Sequence, residues 1–186
     1  MKTAEFRSAP AILASLLLGL AACSPATSES GVETSLAPDT GVAPTTLTAL
    51  DPARLAERAD PSDFCSLDTV DGQLFVQDPI NRVANPAAVR FTGWVGDAGS
   101  LSRPVSPVLR IASADRSRGW VIALGAPVER ADVAAHYDAA TMQASGFDFP
   151  VDLSALPAGE YNLALGYLSS GRPVLCDTGR RVVVGG

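Results

Sequence analysis

Lysine is almost missing from this 186-residue sequence: Lys2 is the only one, and arginine supplies every other basic side chain. Fourteen basic residues stand against 20 acidic ones, for a formal net charge of −6. Nucleic-acid binding needs a basic stripe or patch, so this balance excludes nucleic acid as a partner. Histidine is equally scarce. With His136 alone, no multi-histidine zinc site can be assembled. A Ser-His-Asp triad would have to use an imidazole flanked by Ala135 and Tyr137, and no Gly-x-Ser-x-Gly elbow accompanies it. An Asp-x-Asp-x-Asp-Gly calcium loop is also missing, and Gly93-Trp94-Val95-Gly96 lacks the third glycine and the lysine of a phosphate-cradling loop. The expectation is no catalytic residue, no metal and no cofactor.

Long apolar runs are lacking too. The uncharged stretch 11–22 is twelve residues long, short of the roughly 20 that span a bilayer as a helix. It follows Lys2 and Arg7 and ends on small residues, as an export signal does. Its last residues, with the next one, are Leu20-Ala21-Ala22-Cys23. These four resemble the lipobox of bacterial lipoprotein signal peptides. The resemblance implies that residues 1–22 are removed and that Cys23 is acylated, tying the protein to a membrane through its N-terminal lipid. More than one acyl chain makes such an anchor stable, since each buried methylene contributes about 0.8 kcal/mol. In that family an aspartate after the cysteine retains the protein in the inner membrane. Ser24 stands there instead, which implies the outer membrane, with the body expected on the periplasmic side and the outer surface left open. Cleavage would remove Lys2, Glu5 and Arg7 and leave 164 residues with 19 acids and 12 arginines, a net charge of −7.

With Cys23 taken by lipid, Cys65 and Cys176 remain. In an oxidising compartment a disulfide is the default for such a pair, with free or metal-binding thiols as the alternative.

Residues 23–50 are mostly Ser, Thr, Ala, Pro and Gly with no aromatic side chain. Such composition cannot offset its ordering entropy, so the lipidated N-terminus is expected to continue into a disordered tether. Residues 51–60 read as a short helix or linker, with Asp51 as cap and Pro52 at the first helical position. From 62 to 186, short apolar runs alternate with Gly, Pro, Asp and Ser, the pattern of an antiparallel all-β domain. Strands are expected at 64–70, 73–77, 88–95, 108–113, 119–124, 146–153, 161–168, 174–176 and 180–184. Phe147, Phe149 and Val151 share one face of their strand, and Pro150 marks it as an edge or bulged strand. Tyr161, Leu163, Leu165 and Tyr167 share one face of the next. One helical insertion is expected at 130–140, where Val133 and Tyr137 are four apart and Asp132 lies near the start.

Four blocks then occur in order: Phe91-Thr92-Gly93-Trp94, Arg130-Ala131-Asp132-Val133-Ala134, Ser145-Gly146-Phe147, and Leu156 to Leu163 with Pro157, Gly159 and Tyr161. Together they resemble small immunoglobulin-like β-sandwich modules of bacterial envelope proteins. The resemblance implies an immunoglobulin-like antiparallel sandwich and carries no catalytic residue or ligand with it. Trp94 and Trp120 are read as packing residues, with sugar stacking as the other use of such rings. Arg130 and Asp132 are read as a helix cap or a pair across a loop, and Gly93 and Gly146 as places of close backbone approach. The acidic pairs Asp148/Asp152 and Asp68/Asp71 are read as the polar side of a half-exposed sheet, against a glycosidase-like pair in a cleft. Trp94, Trp120, Arg130 and Asp132 are the candidate binding surface. The expected function is therefore a lipid-anchored, non-enzymatic envelope module that binds an envelope protein or glycan. The alternative is a glycan-active envelope enzyme or its carbohydrate-binding subunit.

Overall fold

The computed structural model describes residues 45–75 and 79–185. Cys23, the lipobox and most of the expected tether lie outside them. Among the described residues the chain forms two packed β-sheets and two short α-helices.

The small sheet has four strands in the order β4 (Gln73–Leu74), β3 (Cys65–Val70), β6 (Val89–Val95) and β9 (Gly146–Val151), all antiparallel. In the large sheet the order is β1 (Thr48–Ala49), β8 (Gly119–Ala123), β7 (Val108–Ser113), β10 (Gly159–Ser169), β11 (Arg172–Val184) and β2 (Asp60–Ser62). A further strand, β5 (Ile80–Val83), shares the free edge of β11 with β2, and both pair there in parallel. The sheet is thus antiparallel except along that one edge. Two-residue turns close the tightest hairpins. Asp71-Gly72 joins β3 to β4 and Ser170-Gly171 joins β10 to β11, each with both central φ angles positive, the geometry that matches the twist of the flanking strands.

Side-chain alternation makes the core. Leu109 and Ile111 on β7, Tyr161, Leu163 and Leu165 on β10, and Phe91, Phe147, Phe149 and Val151 on the small sheet are all buried in one cluster between the sheets. Every residue of that cluster lies between 67 and 184, so the 40–186 unit carries its own core and what it needs to fold alone. Cys65 on β3 and Cys176 on β11 form a disulfide across the two sheets. Tyr161 is 1 % exposed, and its hydroxyl donates to the Pro157 carbonyl four residues upstream at 2.6 Å. This is the corner by which sandwiches of Greek-key type fix a crossing between sheets.

Several elements differ from the sequence reading. The expected strands at 174–176 and 180–184 are one strand, β11, because Gly179 at φ +63° carries the chain through a bulge opposite Leu163/Ala164. Strands β1, β2 and β5 were not expected. Asn81 explains β5: it is buried at 6 % exposure, where an apolar residue would mark a strand, because its amide donates to the Val70 and Gln73 carbonyls. Thr48–Ala49 lies inside the stretch expected to be tether, and Thr45 already bridges Val151. The ordered domain thus begins at least by Thr45 rather than at 62.

That early start produces a strap. Thr45 sits on the edge of the small sheet, where its amide donates to Pro150. Thr48 and Ala49 then pair with Val121 and Trp120 on the edge of the large sheet. Next, α1 (Pro52–Ala56), capped by Asp51 as expected, passes over the outer face of the large sheet, and the chain reaches the opposite edge as β2. Gly119 makes room: a Cβ there would lie 2.6 Å from Leu55 Cδ1.

Candidate functional site

On the outer face of the small sheet, α2 (Ala131–His136), which a 3-10 turn, Ala140–Ala144, follows, forms the helical insertion expected at 130–140. Its apolar side comes down on Trp94. Val133 is buried and Tyr137 half-buried, in a second cluster with Phe64, Trp94, Ala139 and Met142. Phe64 and Tyr137 stand 5.4 Å and 5.6 Å from the Trp94 ring. With 8 % of its surface left exposed, Trp94 is a packing residue and offers no stacking platform. Trp94 is therefore not part of a binding surface, contrary to the sequence expectation, because the insertion's own aromatic ring covers it.

Trp120 lies in the other sheet. It is half-buried, edge-on to Tyr161 at 5.7 Å, with the Arg118 guanidinium 6.0 Å from its ring. Arg130 and Asp132 do come together. Arg130 donates to Asp132 through Nε and Nη2 at 2.8 Å and 2.7 Å, and through Nη1 to Asp68 on β3 at 2.7 Å. Hydrogen bonding to Asp132 raises the guanidinium pKa above its ordinary value, opposed by burial and aided by Asp68, and the same bond holds the Asp132 carboxyl at about 2. The arginine therefore pairs locally with Asp132 and ties the start of the insertion to the sheet through Asp68, a partner the sequence did not indicate. Gly146 lets it do so, since a Cβ there would come 2.6 Å from the Val128 carbonyl oxygen and 2.7 Å from Arg130 Cγ. Gly93 likewise leaves no space for a side chain beside the Ser66 carbonyl.

The acidic residues are also occupied. Asp148 receives two hydrogen bonds from Arg90, at 2.6 Å and 2.9 Å, Asp71 accepts from the Arg90 amide, and Asp152 accepts from the Ser154 amide. Asp148 lies on the polar side of the edge strand β9, Asp71 in the β3–β4 turn and Asp152 just past the end of β9. His136 is exposed, with its ring edge-on to Tyr137 at 4.7 Å. Among the described residues, no three His, Cys, Asp or Glu side chains are grouped as a metal site requires.

A different site appears where no motif pointed. The outer face of β7 and β10 carries Val108, Arg110, Ala112, Ala164 and Gly166, small or apolar side chains around one arginine. The strap crosses this face and leaves a space on each side of α1. One is about 240 Å³ and mainly apolar, bounded by Leu50, Val108, Val121, Leu168 and Pro173. The other is about 730 Å³ and more polar, with Arg116, Ser117, Asn162 and Asp177. Arg110, Glu57, Ala59 and Leu175 line both, so the two spaces are one cleft divided at Arg110. The guanidinium donates to the Leu55 carbonyl at 2.7 Å, and among the described residues it has no carboxylate partner. Burial pushes its pKa below the ordinary value, and the charge of Arg116 adds to that. Glu57 is 3.4 Å from Arg54, and Asp177 accepts from the Gly179 amide.

Sequence reasoning missed this cleft because an outward arginine on a strand is ordinary. The contact that makes it unusual, to Leu55, spans 55 positions. The available signal was weaker: glycine and alanine at the outward positions 112, 164 and 166 of two central strands, which is what a covered face requires. In comparisons with known proteins, no protein-family model and no curated protein matches the sequence.

Proposed function

We propose that the chain is a lipid-anchored protein of the bacterial outer membrane whose sandwich is a non-enzymatic binding module. Its lipid attaches at Cys23 of the motif Leu20-Ala21-Ala22-Cys23. The observation that carries the binding role is the strapped cleft, a concave face with an apolar floor and, among the described residues, two arginines without a carboxylate partner, Arg110 and Arg116, the usual make-up of a ligand site. The immunoglobulin-like likeness supports the same reading through the Tyr161 corner and the disulfide between sheets.

The ordered body starts by Thr45, so residues 24–44 are the length available as a spacer between lipid and sandwich. A glycan-active enzyme is the weaker reading, because Trp94 is covered and Asp68, Asp132 and Asp148 are held by arginines.

Two measurements test this. Radiolabelled palmitate should enter the wild-type protein in its native host and not the Cys23→Ser variant, which should leave the membrane fraction; label in neither removes the anchor. A photo-crosslinker at Ser117, beside the cleft, should capture a discrete envelope component in intact cells, and capture equal to that from a distant exposed position such as Ala98 would remove the binding role.

A further inference from the structure

The strapped cleft has two unlike halves, and their chemistry narrows what fits. This inference rests on the binding-module reading above. The narrow half is walled by Leu50, Val108, Val121, Leu168 and Pro173, with Leu168 63 % exposed. Arg54, Glu57 and Ser106 also border this half, but its walls are mainly apolar, so an alkyl group gains by replacing water against them. A volume of about 240 Å³ takes one short chain and not the paired chains of a phospholipid. The wider half begins at Arg110 and carries hydrogen-bonding side chains in Arg116, Ser117 and Asn162.

Between the halves sits a cation with unused donors. Among the described residues Arg110 gives one hydrogen bond, from one Nη2 hydrogen to the Leu55 carbonyl, which leaves one parallel pair open, the other Nη2 hydrogen with Nε or with Nη1. A guanidinium presents parallel N–H pairs that match a carboxylate. Its strand neighbours on this face are Val121 and Ala164, neither of which carries charge. Removing such a group partly from water without a counter-ion is unfavourable, and an anion delivered with its own apolar tail would relieve it. Glu57 and Asp177 also border the cleft, and their partners Arg54 and the Gly179 amide hold both carboxylates.

We propose that the cleft binds a single-chain alkyl carboxylate, with the carboxylate on the Arg110 guanidinium and the chain between the strap and the outer faces of β7, β8 and β10.

The test is calorimetric titration of the 40–186 unit with octanoate, and with 1-octanol as the uncharged analogue of equal length. Octanoate should bind one to one, and octanol about tenfold or more weakly, as loss of a charge-assisted hydrogen bond requires. Arg110→Met keeps an apolar stem and should lower octanoate affinity to that of octanol while leaving octanol unchanged. Because Arg110 also holds the strap through Leu55, Val108→Phe serves as a second probe. It fills the narrow half and should weaken both ligands. Absence of octanoate binding, equal binding of acid and alcohol, or indifference to both substitutions would each overturn the proposal. Crosslinking from Ser117 to an envelope protein or glycan, with no octanoate binding, would leave the binding module standing and remove this ligand class alone.

Discussion

Opening the Cys65–Cys176 disulfide should remove a large part of the sandwich's stability, chiefly through the unfolded chain. The bridge joins positions 111 apart. For a loop of that length the chain-entropy relation gives roughly 4–5 kcal/mol at 25 °C, against a typical total of about 5–15 kcal/mol. Replacing both cysteines by alanine adds a packing loss, because Cys176 is 1 % exposed in the core, on the order of 1 kcal/mol. The assay is urea unfolding of the 40–186 unit in three forms: oxidised, reduced with dithiothreitol, and C65A/C176A. Fluorescence of Trp94 and Trp120 follows the covered insertion and the large sheet together, far-ultraviolet dichroism follows the strands, and coincident transitions license a single free energy. The midpoint should fall in both opened forms, the double variant slightly further, and thermal midpoints should drop by on the order of 10–20 °C. The denaturant slope should rise, since an unlinked chain exposes more surface when it unfolds. A loss below about 1 kcal/mol with an unchanged slope would refute the reasoning, because it would mean that the link does not restrict the unfolded ensemble.

Tyr161→Phe should cost about 1–2 kcal/mol by leaving the Pro157 carbonyl without its 2.6 Å donor, read as a lower urea midpoint at constant slope; no change would show that water replaces the hydroxyl. Gly119→Val should lift the strap by occupying the place of Leu55 Cδ1, seen as faster trypsin cleavage after Arg54 and Arg58 while the remaining sandwich stays protected. Cleavage at the wild-type rate would mean that Leu55 does not hold the strap. Acid should destabilise the fold in a defined window. Asp115, held low first by the Ser113 hydroxyl, and Asp132, held low first by Arg130, both lie at about 2 in the folded protein. An unfolded carboxyl lies near 3.9, so the unfolded chain binds more protons in between. Their contribution is complete above about pH 4 and is lost as pH falls toward 2. Thermal midpoints across that range should flatten in D115N and D132N, and slopes parallel to the wild type would count against it.

Strand positions with one buried face were readable because alternation there is local. Phe147, Phe149 and Val151 pointed inward as expected, and Pro150 lay on an edge strand as its missing donor requires. The face Tyr161, Leu163, Leu165 and Tyr167 was likewise read correctly. What escaped was set by distant partners. Asp60–Ser62 has no large apolar residue and no alternation, and is a strand only because β11 offers it an edge. Asn81 contradicts the pattern and is satisfied by carbonyls eight and eleven residues away. Trp94 shows the limit at a site: the sequence suggested packing, yet which surface covered it depended on Tyr137 arriving from an insertion 43 residues later.

The strap is the sharpest case, and the cleft depends on it. Leu47 packs on the core between the sheets, the Leu50 amide donates to the Gly119 carbonyl at 2.8 Å, and Leu55 covers Gly119 while its carbonyl receives Arg110. These anchors touch three different surfaces in turn, so no period of 2 or 3.6 runs through them and the segment reads as low complexity. That looseness has a physical consequence. No residue of α1 is fully buried, so the strap gains little from its own packing and leaves space on both flanks. A longer amphipathic helix would bury the face of β7 and β10 completely and would close the space beside Arg110. Weak local signal and an open cleft therefore have one cause, a short segment that crosses a sheet at a few points instead of covering it.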